Sequence, residues 1–377
     1  MISSSMKWKE ILEIKSGKNQ KDVVDINGRY PIYGSGGIIG YSKEYLCPAG
    51  TTIIGRKGTI NSPLYVNEPF WNVDTAFGLI PSQQLVSKYL YYFCCYFNFK
   101  ALDKSTTIPS LAKRDLENVE MPVPPLDEQT CIVARIEELF SELDKAVDTL
   151  KTTKEQLEVY RQAVMKDAFQ EKESIIRLGD AIEKPHYGTS KKCDYPCTAN
   201  STAVLRIPNI DTKNGRVDSS DLKYAEFNEK ELEQLSLKSG DILIIRSNGS
   251  ISLVGSSAII RKCDTDKTYA GYLMRLRILN KEKLLPKYLL YYLSSPDARR
   301  YIESVAKSTS GVNNINSQEI SKLCVPLSSI EKQKKIVAEI EMKLSVYHEI
   351  EKSVDTVLVQ ADAMRQSILK QAFEGKI

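Results

Sequence analysis

The chain of 377 residues contains a long internal repeat, which constrains its fold more than any other feature. The segment Asp127-Glu-Gln-Thr-Cys-Ile-Val-Ala-Arg-Ile-Glu137 aligns with Glu331-Lys-Gln-Lys-Lys-Ile-Val-Ala-Glu-Ile-Glu341 at an offset of 204. The same offset aligns residues 161–169 with residues 365–373 without a gap. A match at one fixed offset over about fifty residues indicates two tandem copies of one module.

The last part of each copy has the residue spacing of a coiled-coil helix, in which mostly apolar positions alternate between four- and three-residue steps. These positions are Ile132, Ile136, Leu139, Leu143, Ala146, Leu150, Thr153, Leu157, Tyr160 and Val164 in the first copy, and Ile336, Ile340, Lys343, Tyr347, Ile350, Val354, Val357, Ala361, Met364 and Ile368 in the second. Residues 173–330 connect the end of the first helix to the start of the second. One compact domain can contact both of those ends only if the two helices run antiparallel, so we predict that they do.

The region before each helix has the pattern of short strands and turns. Apolar runs at residues 51–54, 242–245 and 258–260 are interrupted by glycine, asparagine and proline. Gly50 and Arg56 bracket the first of these runs as Gly240 and Arg246 bracket the second. Tyrosine-rich segments at residues 88–92 and 287–292 predict a short amphipathic helix in each copy, with tyrosines that belong to the core rather than to a base-stacking surface.

The predicted fold class is therefore α/β (α+β), with two globular domains joined by a long antiparallel two-helix coiled coil and related by an internal pseudo-twofold repeat. We predict the first domain at residues 1–127 and the first helix at 128–172. The second domain follows at 173–330 and the second helix at 331–377.

Composition argues against several classes of function. The two histidines make most hydrolytic triads unfavourable, and a phosphate-loop signature is missing. Since no Asn-Pro-Pro-Tyr or Asp-Pro-Pro-Phe tetrapeptide occurs either, we predict a protein that is not an enzyme and needs no cofactor. Cys193 and Cys197 near His186 are an alternative metal site, but reduced thiols in a loop are favoured and we predict no metal. Because no apolar run approaches the roughly 18 residues of a membrane helix and the start lacks a signal-like core, we expect a cytoplasmic protein without a membrane partner.

The positive charge is concentrated outside the predicted helices. Residues 128–172 contain seven Lys/Arg and ten Asp/Glu, and residues 331–377 contain eight of each, while the whole chain has a net charge of +4. The two globular regions therefore carry a net +7, which favours contact with the phosphates of a nucleic acid. Solvated lysines on any globular domain are the alternative explanation.

Base readout in DNA requires arginine, asparagine, glutamine or similar donors near backbone turns. The candidates are Ser35, Lys43, Arg56, Lys57, Asn61 and Asn72 in the first domain, and Arg206, Asn209, Arg246, Asn248, Arg275, Arg277, Asn313 and Asn314 in the second. Asn61 and Asn248 have an alternative role in shaping turns, and Arg275 with Arg277 an alternative as one exposed strand face. Arg56 and Arg246 are favoured because their position recurs in both copies.

The chain resembles the specificity (S) subunits of Type I restriction–modification systems. The matching segments are Ser110-Leu-Ala-Lys-Arg-Asp-Leu-Glu-Asn-Val-Glu-Met-Pro-Val-Pro-Pro-Leu-Asp-Glu-Gln129, Asn314-Ile-Asn-Ser-Gln-Glu-Ile-Ser-Lys-Leu-Cys-Val-Pro-Leu327, Glu331-Lys-Gln-Lys-Lys-Ile-Val337 and Lys370-Gln-Ala-Phe-Glu-Gly-Lys376. Tyr30-Pro-Ile-Tyr-Gly-Ser-Gly-Gly-Ile38 and Ser239-Gly-Asp-Ile-Leu-Ile-Ile-Arg246 are similar to stretches of the target-recognition domains of that family.

The resemblance implies that each domain reads one half of a split, asymmetric site in double-stranded DNA and that the helices set the gap between the halves. It also implies partners, namely two modification (methyltransferase) subunits and further restriction subunits that translocate and cleave DNA. Two rival hypotheses remain open at this point. One is a coiled-coil scaffold whose end domains bind proteins, and the other is a self-sufficient enzyme.

Overall fold

The computed structural model describes residues 5–171, 173–195, 200–309 and 311–377. The chain divides into two compact units: unit 1 consists of Met1–Thr152 and Val354–Ile377, and unit 2 of Thr153–Ser353. Each unit therefore contains one globular domain and a part of each of two long helices.

Among its described residues, unit 1 combines short strands with three short helices and its parts of the two long helices. The strands are β1 (Ser5–Lys7), β2 (Leu12–Ser16), β3 (Tyr30–Gly34), β4 (Gly37–Ser42), β5 (Thr51–Gly55), β6 (Leu64–Val66), β7 (Trp71–Asn72), β8 (Ala76–Pro81) and β9 (Glu120–Pro122). The helices are α1 (Trp8–Ile11), α2 (Ser87–Tyr96), α3 (Lys113–Leu116) and α4 (Leu126–Asp167), and a 3-10 turn covers Phe99–Leu102.

The strands of unit 1 form an antiparallel sheet of order β2-β8-β5-β6, a second sheet of order β4-β3-β7 and the pair β1-β9. The central strand β5 is buried along its whole length, as its threonine and isoleucine content favours. Gly50, with φ of +80°, makes the turn that enters it. The main core of unit 1 joins Trp8, Phe77 and Tyr89 to Ile136 of α4.

Unit 2 contains a larger domain with the same general content. Its strands are β10 (Ser174–Arg177), β11 (His186–Tyr187), β12 (Ser201–Leu205), β13 (Ile210–Asp211), β14 (Arg216–Val217), β15 (Lys223–Glu226), β16 (Ile242–Ile245), β17 (Ser247–Asn248), β18 (Ser257–Ile259), β19 (Thr268–Tyr269), β20 (Leu273–Leu276), β21 (Lys307–Thr309), β22 (Val312–Asn314) and β23 (Cys324–Leu327). Its helices are α5 (Leu178–Ala181), α6 (Glu229–Gln234), α7 (Pro286–Leu293), α8 (Pro296–Val305), α9 (Ser317–Ser321) and α10 (Ile330–Phe373), with 3-10 turns at Ile207–Asn209, Ile251–Leu253 and Lys262–Asp264.

The sheets of unit 2 have the strand orders β11-β20-β16-β18, β15-β12-β19 and β17-β22-β21, with the pairs β10-β23 and β13-β14. The buried strand β16 corresponds to β5, and Gly240 before it has φ of +92° as Gly50 does before β5. The predicted strands at 51–54, 242–245 and 258–260 and the two tyrosine-rich helices are thus confirmed, the latter as α2 and α7.

The two long helices run antiparallel within each unit. In unit 1, Arg365 of α10 pairs with Asp144 of α4 and lies 5.2 Å from the ring centroid of Phe140. In unit 2, the Tyr347 hydroxyl donates to the Glu158 carboxylate at 2.6 Å. Asp144 and Tyr347 lie in the first half of their helices, whereas their partners Arg365 and Glu158 lie in the last quarter of the other helix. The partner positions thus run in opposite directions along the two helices, and the predicted antiparallel pairing is confirmed.

The buried face of α10 differs in phase from the predicted seam. Ile340, Tyr347, Val354 and Ala361 are buried as predicted, but the alternate positions are shifted by one residue, from Lys343, Ile350, Val357 and Met364 to Leu344, Glu351, Leu358 and Arg365. Within the seam, Glu351 accepts a hydrogen bond from Lys213 at 2.9 Å, and Arg365 pairs with Asp144. The shifted seam therefore consists of the apolar Leu344 and Leu358 together with the charged Glu351 and Arg365, and both charged residues have partners.

A buried glutamine fastens the domain of unit 1 to the first turn of α4. The Gln129 side chain is fully buried, and its Oε1 accepts from the Val86 amide at 2.8 Å. Its Nε2 donates to the carbonyl oxygens of Gln84 at 2.9 Å and Pro124 at 2.8 Å. These bonds hold the start of α2 against the start of α4.

Gln333, at the equivalent position of α10, makes the same three bonds in unit 2. Its Oε1 accepts from the Leu285 amide at 2.9 Å, and its Nε2 donates to the carbonyls of Lys283 at 2.8 Å and Ser328 at 2.9 Å. An ion pair next to it also repeats: Lys88 with Glu137 in unit 1 and Lys287 with Glu341 in unit 2, both at 2.5 Å. The duplication therefore extends from sequence to individual side-chain contacts.

The predicted fold class, with two α/β domains on a duplicated antiparallel helix pair, is confirmed. The boundaries predicted from sequence remain predictions, since the compact units are divided within the helices rather than at their ends. Among the described residues, none of the helices combines the length and apolar character needed to cross a membrane.

Candidate DNA-binding surfaces

Arg56 and Arg246 occupy equivalent positions immediately after the central strands β5 and β16. The Arg56 amide donates to the Thr75 carbonyl at 2.8 Å, and the Arg246 amide donates to the Tyr272 carbonyl at 2.9 Å. Their own carbonyls accept from the amides of Leu111 and Ile315, each at 2.9 Å. Leu111 and Ile315 are themselves separated by 204 residues, so the backbone frame around both arginines is duplicated.

The guanidinium groups of these arginines are also held alike. Arg56 Nη1 donates to the carbonyl of Asp74 at 3.4 Å, and Arg246 Nη1 donates to that of Gly271 at 3.1 Å. Arg56 lies 5.7 Å from the ring centroid of Phe77, and Arg246 lies 4.5 Å from that of Tyr187, within the range of cation–π contact. Among the described residues, neither side chain pairs with a carboxylate.

The hairpin of β3 and β4 carries two further candidates of the first domain. Ser35 is half-buried at its turn, and Lys43 is exposed just beyond β4, 3.4 Å from Asp25. Tyr41 and Tyr45 flank Lys43, with 47% and 53% of their surfaces exposed. Sequence reasoning missed these tyrosines, although aromatic residues interleaved with a lysine are a signal for contact with bases.

The other candidates of the first domain differ in accessibility. Lys57 is exposed beside Arg56. Asn61 is exposed, but its Oδ1 accepts from the Phe99 amide at 2.8 Å, in agreement with the alternative role in shaping a turn. Asn72 is fully buried and donates to the carbonyls of Lys15 and Ala76. The structure thus gives Asn72 an internal role.

Arg206 and Asn209 of the second domain form one internal network. Arg206 pairs with Asp221 at 2.9 Å, and 22% of its side chain is exposed. Asn209 is 1% exposed and donates to the carbonyls of Asp218 at 3.0 Å and Asp221 at 2.8 Å. Asn209 therefore shapes the loop from which Arg206 reaches the surface.

Arg275 and Arg277 do not form the exposed strand face that was considered as their alternative role. Arg275 is 8% exposed and donates to the carbonyls of Gln234 and Ser236. Arg277 is 12% exposed and makes two bonds to Asp241, which raise the pKa of the guanidinium. Both guanidinium groups point inward, where the carbonyls of Gln234 and Ser236 and the carboxylate of Asp241 accept their hydrogen bonds.

The remaining candidates lie together beside Arg246. Strand pairing places Ser247 opposite Asn314 and Asn248 opposite Asn313. Asn248 accepts from the Ser250 amide at 2.9 Å, as its alternative role in a turn predicts, and Asn313 donates to the Gly249 carbonyl at 2.9 Å. The three asparagines are half-buried, so part of each side chain reaches the surface.

A basic groove in the second domain brings Arg206 and Arg246 together. Its lining includes Lys191, Lys223 and the exposed aromatic residue Tyr272. In this lining, Lys191 pairs with Glu231 at 2.7 Å and Arg206 pairs with Asp221. Arg246 has no acidic partner among the described residues. The two lysines and Tyr272 were missed from the sequence because nothing in their local pattern distinguishes them from solvated residues.

The metal alternative at His186, Cys193 and Cys197 has little structural basis. His186 Nδ1 lies 3.0 Å from the Tyr269 hydroxyl, and burial together with nearby Arg275 lowers the pKa of the imidazole. Cys197 lies outside the described residues. Within the described part of the chain, no cluster of three metal-ligating side chains occurs.

The duplicated α/β domain, each copy followed by a long helix, places the chain in the class of proteins built from two copies of one domain-and-helix module. The chain belongs to the family of the Type I restriction modification DNA specificity domain, whose model matches residues 3–159 and again residues 173–352. The resemblance seen in the sequence is therefore confirmed.

Individual relatives and solved structures agree with this assignment. The chain is 26% identical over 347 residues to the Type I restriction enzyme EcoKI specificity subunit of Escherichia coli, covering 86% of this chain and 73% of that protein. It is 26% identical over 290 residues to the StySPI specificity subunit of Salmonella potsdam, covering 74% and 62%. The fold matches a chain of a type I R-M system solved to explain complex assembly and conformational transition, with a TM-score of 0.76, 16% identity and coverage of 99% and 98%. It also matches the HsdS subunit of Thermoanaerobacter tengcongensis, with a TM-score of 0.57, 15% identity and coverage of 100% and 97%.

Proposed function

We propose that this chain is the DNA-reading specificity subunit of a Type I restriction–modification complex and recognises an asymmetric bipartite site. Residues 1–127 and 173–330 act as target-recognition domains, and residues 128–172 and 331–377 act as the spacer between them. Each domain reads one half-site, and the duplex between the half-sites is not read.

The observation that supports this function is that the two domains are attached to their helices in the same way but carry different polar surfaces. Gln129 and Gln333 fasten the two domains to their helices with the same three hydrogen bonds. The surfaces near Arg56 and Arg246 differ, with Lys57 and Asn61 in the first domain and Asn248 and Asn313 in the second. Unlike donors on equivalent frames favour two different base sequences, because base identity is read by side-chain type.

The chain itself is proposed to be non-catalytic, with methyl transfer supplied by two modification subunits and cleavage by restriction subunits. An exposed apolar stripe on α10, formed by Met342, Val346 and Ile350, supports a docking role for this helix. Their exposed fractions are 63%, 55% and 41%, and the four-residue spacing puts them on one helix face. A helix of a modification subunit would bury this stripe. We expect the complex to act in the cytoplasm.

Exchange of one domain tests this proposal. Residues 6–127 are replaced by the corresponding segment of a relative with a different target, and the hybrid is produced together with its modification subunits. Sequencing of methylated bases in host DNA then gives the modified motif. We expect one half-site to change while the other half-site and the gap stay the same.

The reciprocal exchange of residues 173–330 is the matched control and should change only the other half-site. Thermal melting and co-purification with the modification subunits establish that both hybrids fold and assemble. A hybrid that assembles but changes both half-sites, or neither, contradicts the assignment of one domain to each half-site.

A further inference from the structure

We propose that Arg56 and Arg246 are a pair of phosphate anchors, which contact the DNA backbone at equivalent points of the two half-sites and fix the register of each domain without reading a base. This inference rests on the proposed function and deepens it. It assigns the two arginines to positioning and leaves specificity to their neighbours.

The duplicated setting of the two arginines is the first reason. Their amides, their carbonyls and their Nη1 groups all have equivalent partners in the two domains. The surrounding polar residues differ between the domains, as expected for unlike half-sites. The sugar–phosphate backbone is the part of DNA that two half-sites of different sequence have in common. A cation held in the same way in both domains therefore fits a contact with this backbone better than a contact with a base.

The state of the Arg246 guanidinium group is the second reason. A bidentate contact with guanine needs two adjacent free donors. Arg246 Nη1 already donates to the Gly271 carbonyl, and its Nε is buried without a partner among the described residues. Two of the three guanidinium nitrogens of Arg246 are therefore not free to donate to a base, whereas a phosphate oxygen can accept from the remaining terminal nitrogen alone.

The charge balance is the third reason. Arg206, Arg261, Arg277 and Arg299 of the second domain all pair with a carboxylate. Arg246 instead lies on the ring of Tyr187, and Arg56 lies near that of Phe77, with no acid partner for either in the described part of the chain. An aromatic ring restrains a cation without neutralising it, so both groups keep their charge for an anion from outside the protein.

The origin of the aromatic ring differs between the domains. Phe77 belongs to β8, which pairs with β5, whereas Tyr187 belongs to β11 at the edge of its sheet. Tyr187 is in turn fixed by the Ser317 amide, which donates to its hydroxyl at 2.9 Å. Two different strands supply the same support for the same cation, which argues that the position of the charge matters.

The test uses the full chain in complex with its modification subunits and compares wild type with Arg56→Ala, Arg246→Ala, Arg56→Lys and Arg246→Lys. Fluorescence anisotropy measures binding to a duplex carrying the methylated motif and to an unrelated duplex of equal length, over a range of salt concentrations. We expect each alanine variant to weaken binding to both duplexes by a similar factor, roughly tenfold. The slope of log affinity against log salt should become smaller by about 1, as for the loss of one phosphate contact.

The lysine variants should restore most of the affinity and the salt slope, since a phosphate accepts an ammonium group whereas a bidentate base contact does not. The controls are Arg114→Ala in unit 1 and Arg300→Ala in unit 2, two exposed arginines outside these settings, which should bind as wild type does. Circular dichroism checks that every variant is folded.

An alanine variant that loses affinity for the motif alone, or tolerates a different base at one position, overturns the proposal in favour of base readout. Unchanged affinity and salt slope in both alanine variants overturn it as well. Wild-type complex that does not prefer the motif over the unrelated duplex contradicts the proposed function itself, which distinguishes that failure from the failure of the anchor assignment.

Discussion

Replacing Gln333 with alanine removes the amide that fastens the second domain to α10. The side chain is fully buried and makes three hydrogen bonds of 2.8–2.9 Å, to Leu285, Lys283 and Ser328. At a net contribution of about 1 kcal/mol for each bond, the variant should lose roughly 3 kcal/mol of stability. For a unit of this size, that loss corresponds to a decrease in melting temperature of about 6–12 °C.

Thermal denaturation followed by circular dichroism measures the decrease, and hydrogen exchange locates it. The Leu285 amide loses its acceptor in the variant, so the peptide that contains it should exchange faster. Gln318→Ala, an alanine substitution of an exposed glutamine in the same unit, is the matched control and should melt as wild type does. Gln129→Ala should reproduce the effect in unit 1.

Gln333→Glu provides a sharper version of the test. It replaces the Nε2 donor with an oxygen that faces two carbonyl oxygens, so we expect a larger loss of stability than for alanine near neutral pH. Acidification should reduce the difference, because a protonated carboxyl can donate one bond. Melting of Gln333→Ala at the wild-type temperature, with unchanged exchange at Leu285, would refute the claim that this glutamine fastens the domain.

Two further predictions concern α7 and the exposed stripe of α10. Burial raises the pKa of Tyr288 to about 12 in the folded protein, whereas a tyrosine in the unfolded chain titrates near about 10. Between these two pH values the unfolded chain releases this proton and the folded protein keeps it, so the stability should fall as the pH rises. At neutral pH, Tyr288→Phe should be less stable than wild type, because the hydrogen bond to the Pro326 carbonyl is lost. Between pH values of about 10 and 12, its stability in urea unfolding should fall less steeply than that of wild type, because phenylalanine does not titrate. Val346→Glu should leave the melting temperature unchanged and weaken binding of the modification subunit, as measured by calorimetry. Val359 is 73% exposed on another face of α10, so Val359→Glu should leave this binding unchanged. Equal effects of the two glutamate substitutions would contradict the docking role of the stripe.

The architecture could be predicted from the sequence because it depends on patterns that extend over many residues. The offset of 204 and the four–three spacing needed no knowledge of tertiary contacts, and connectivity alone required antiparallel helices. The seam of α10 was predicted only in part, since periodicity favours Ile350 and Met364, which are exposed. Glu351 and Arg365 occupy those places through partners on other segments, and pairing of this kind cannot be deduced from spacing.

The candidate site was harder to predict, because residue type does not determine where a polar side chain finds its partners. Arg275 and Asn72 were reasonable candidates by chemistry, yet nearby main-chain carbonyls accept their hydrogen bonds inside the domains. Arg56 and Arg246 were favoured for a positional reason, their recurrence in both copies, and the structure shows that their settings are equivalent. The paired glutamines carried the same signal of recurrence, in the aligned Asp127-Glu-Gln129 and Glu331-Lys-Gln333, but their clamping role depends on loops distant in sequence.

The most direct test of the whole account is the motif methylated in host DNA when this chain is produced with its modification subunits, read by sequencing that detects modified bases. The account predicts one motif made of two short, different sequences separated by a stretch of fixed length in which any base is allowed. A continuous motif, or a motif with two identical inverted halves, would contradict the claim that two unlike domains on a duplicated helix pair each read their own half of the site.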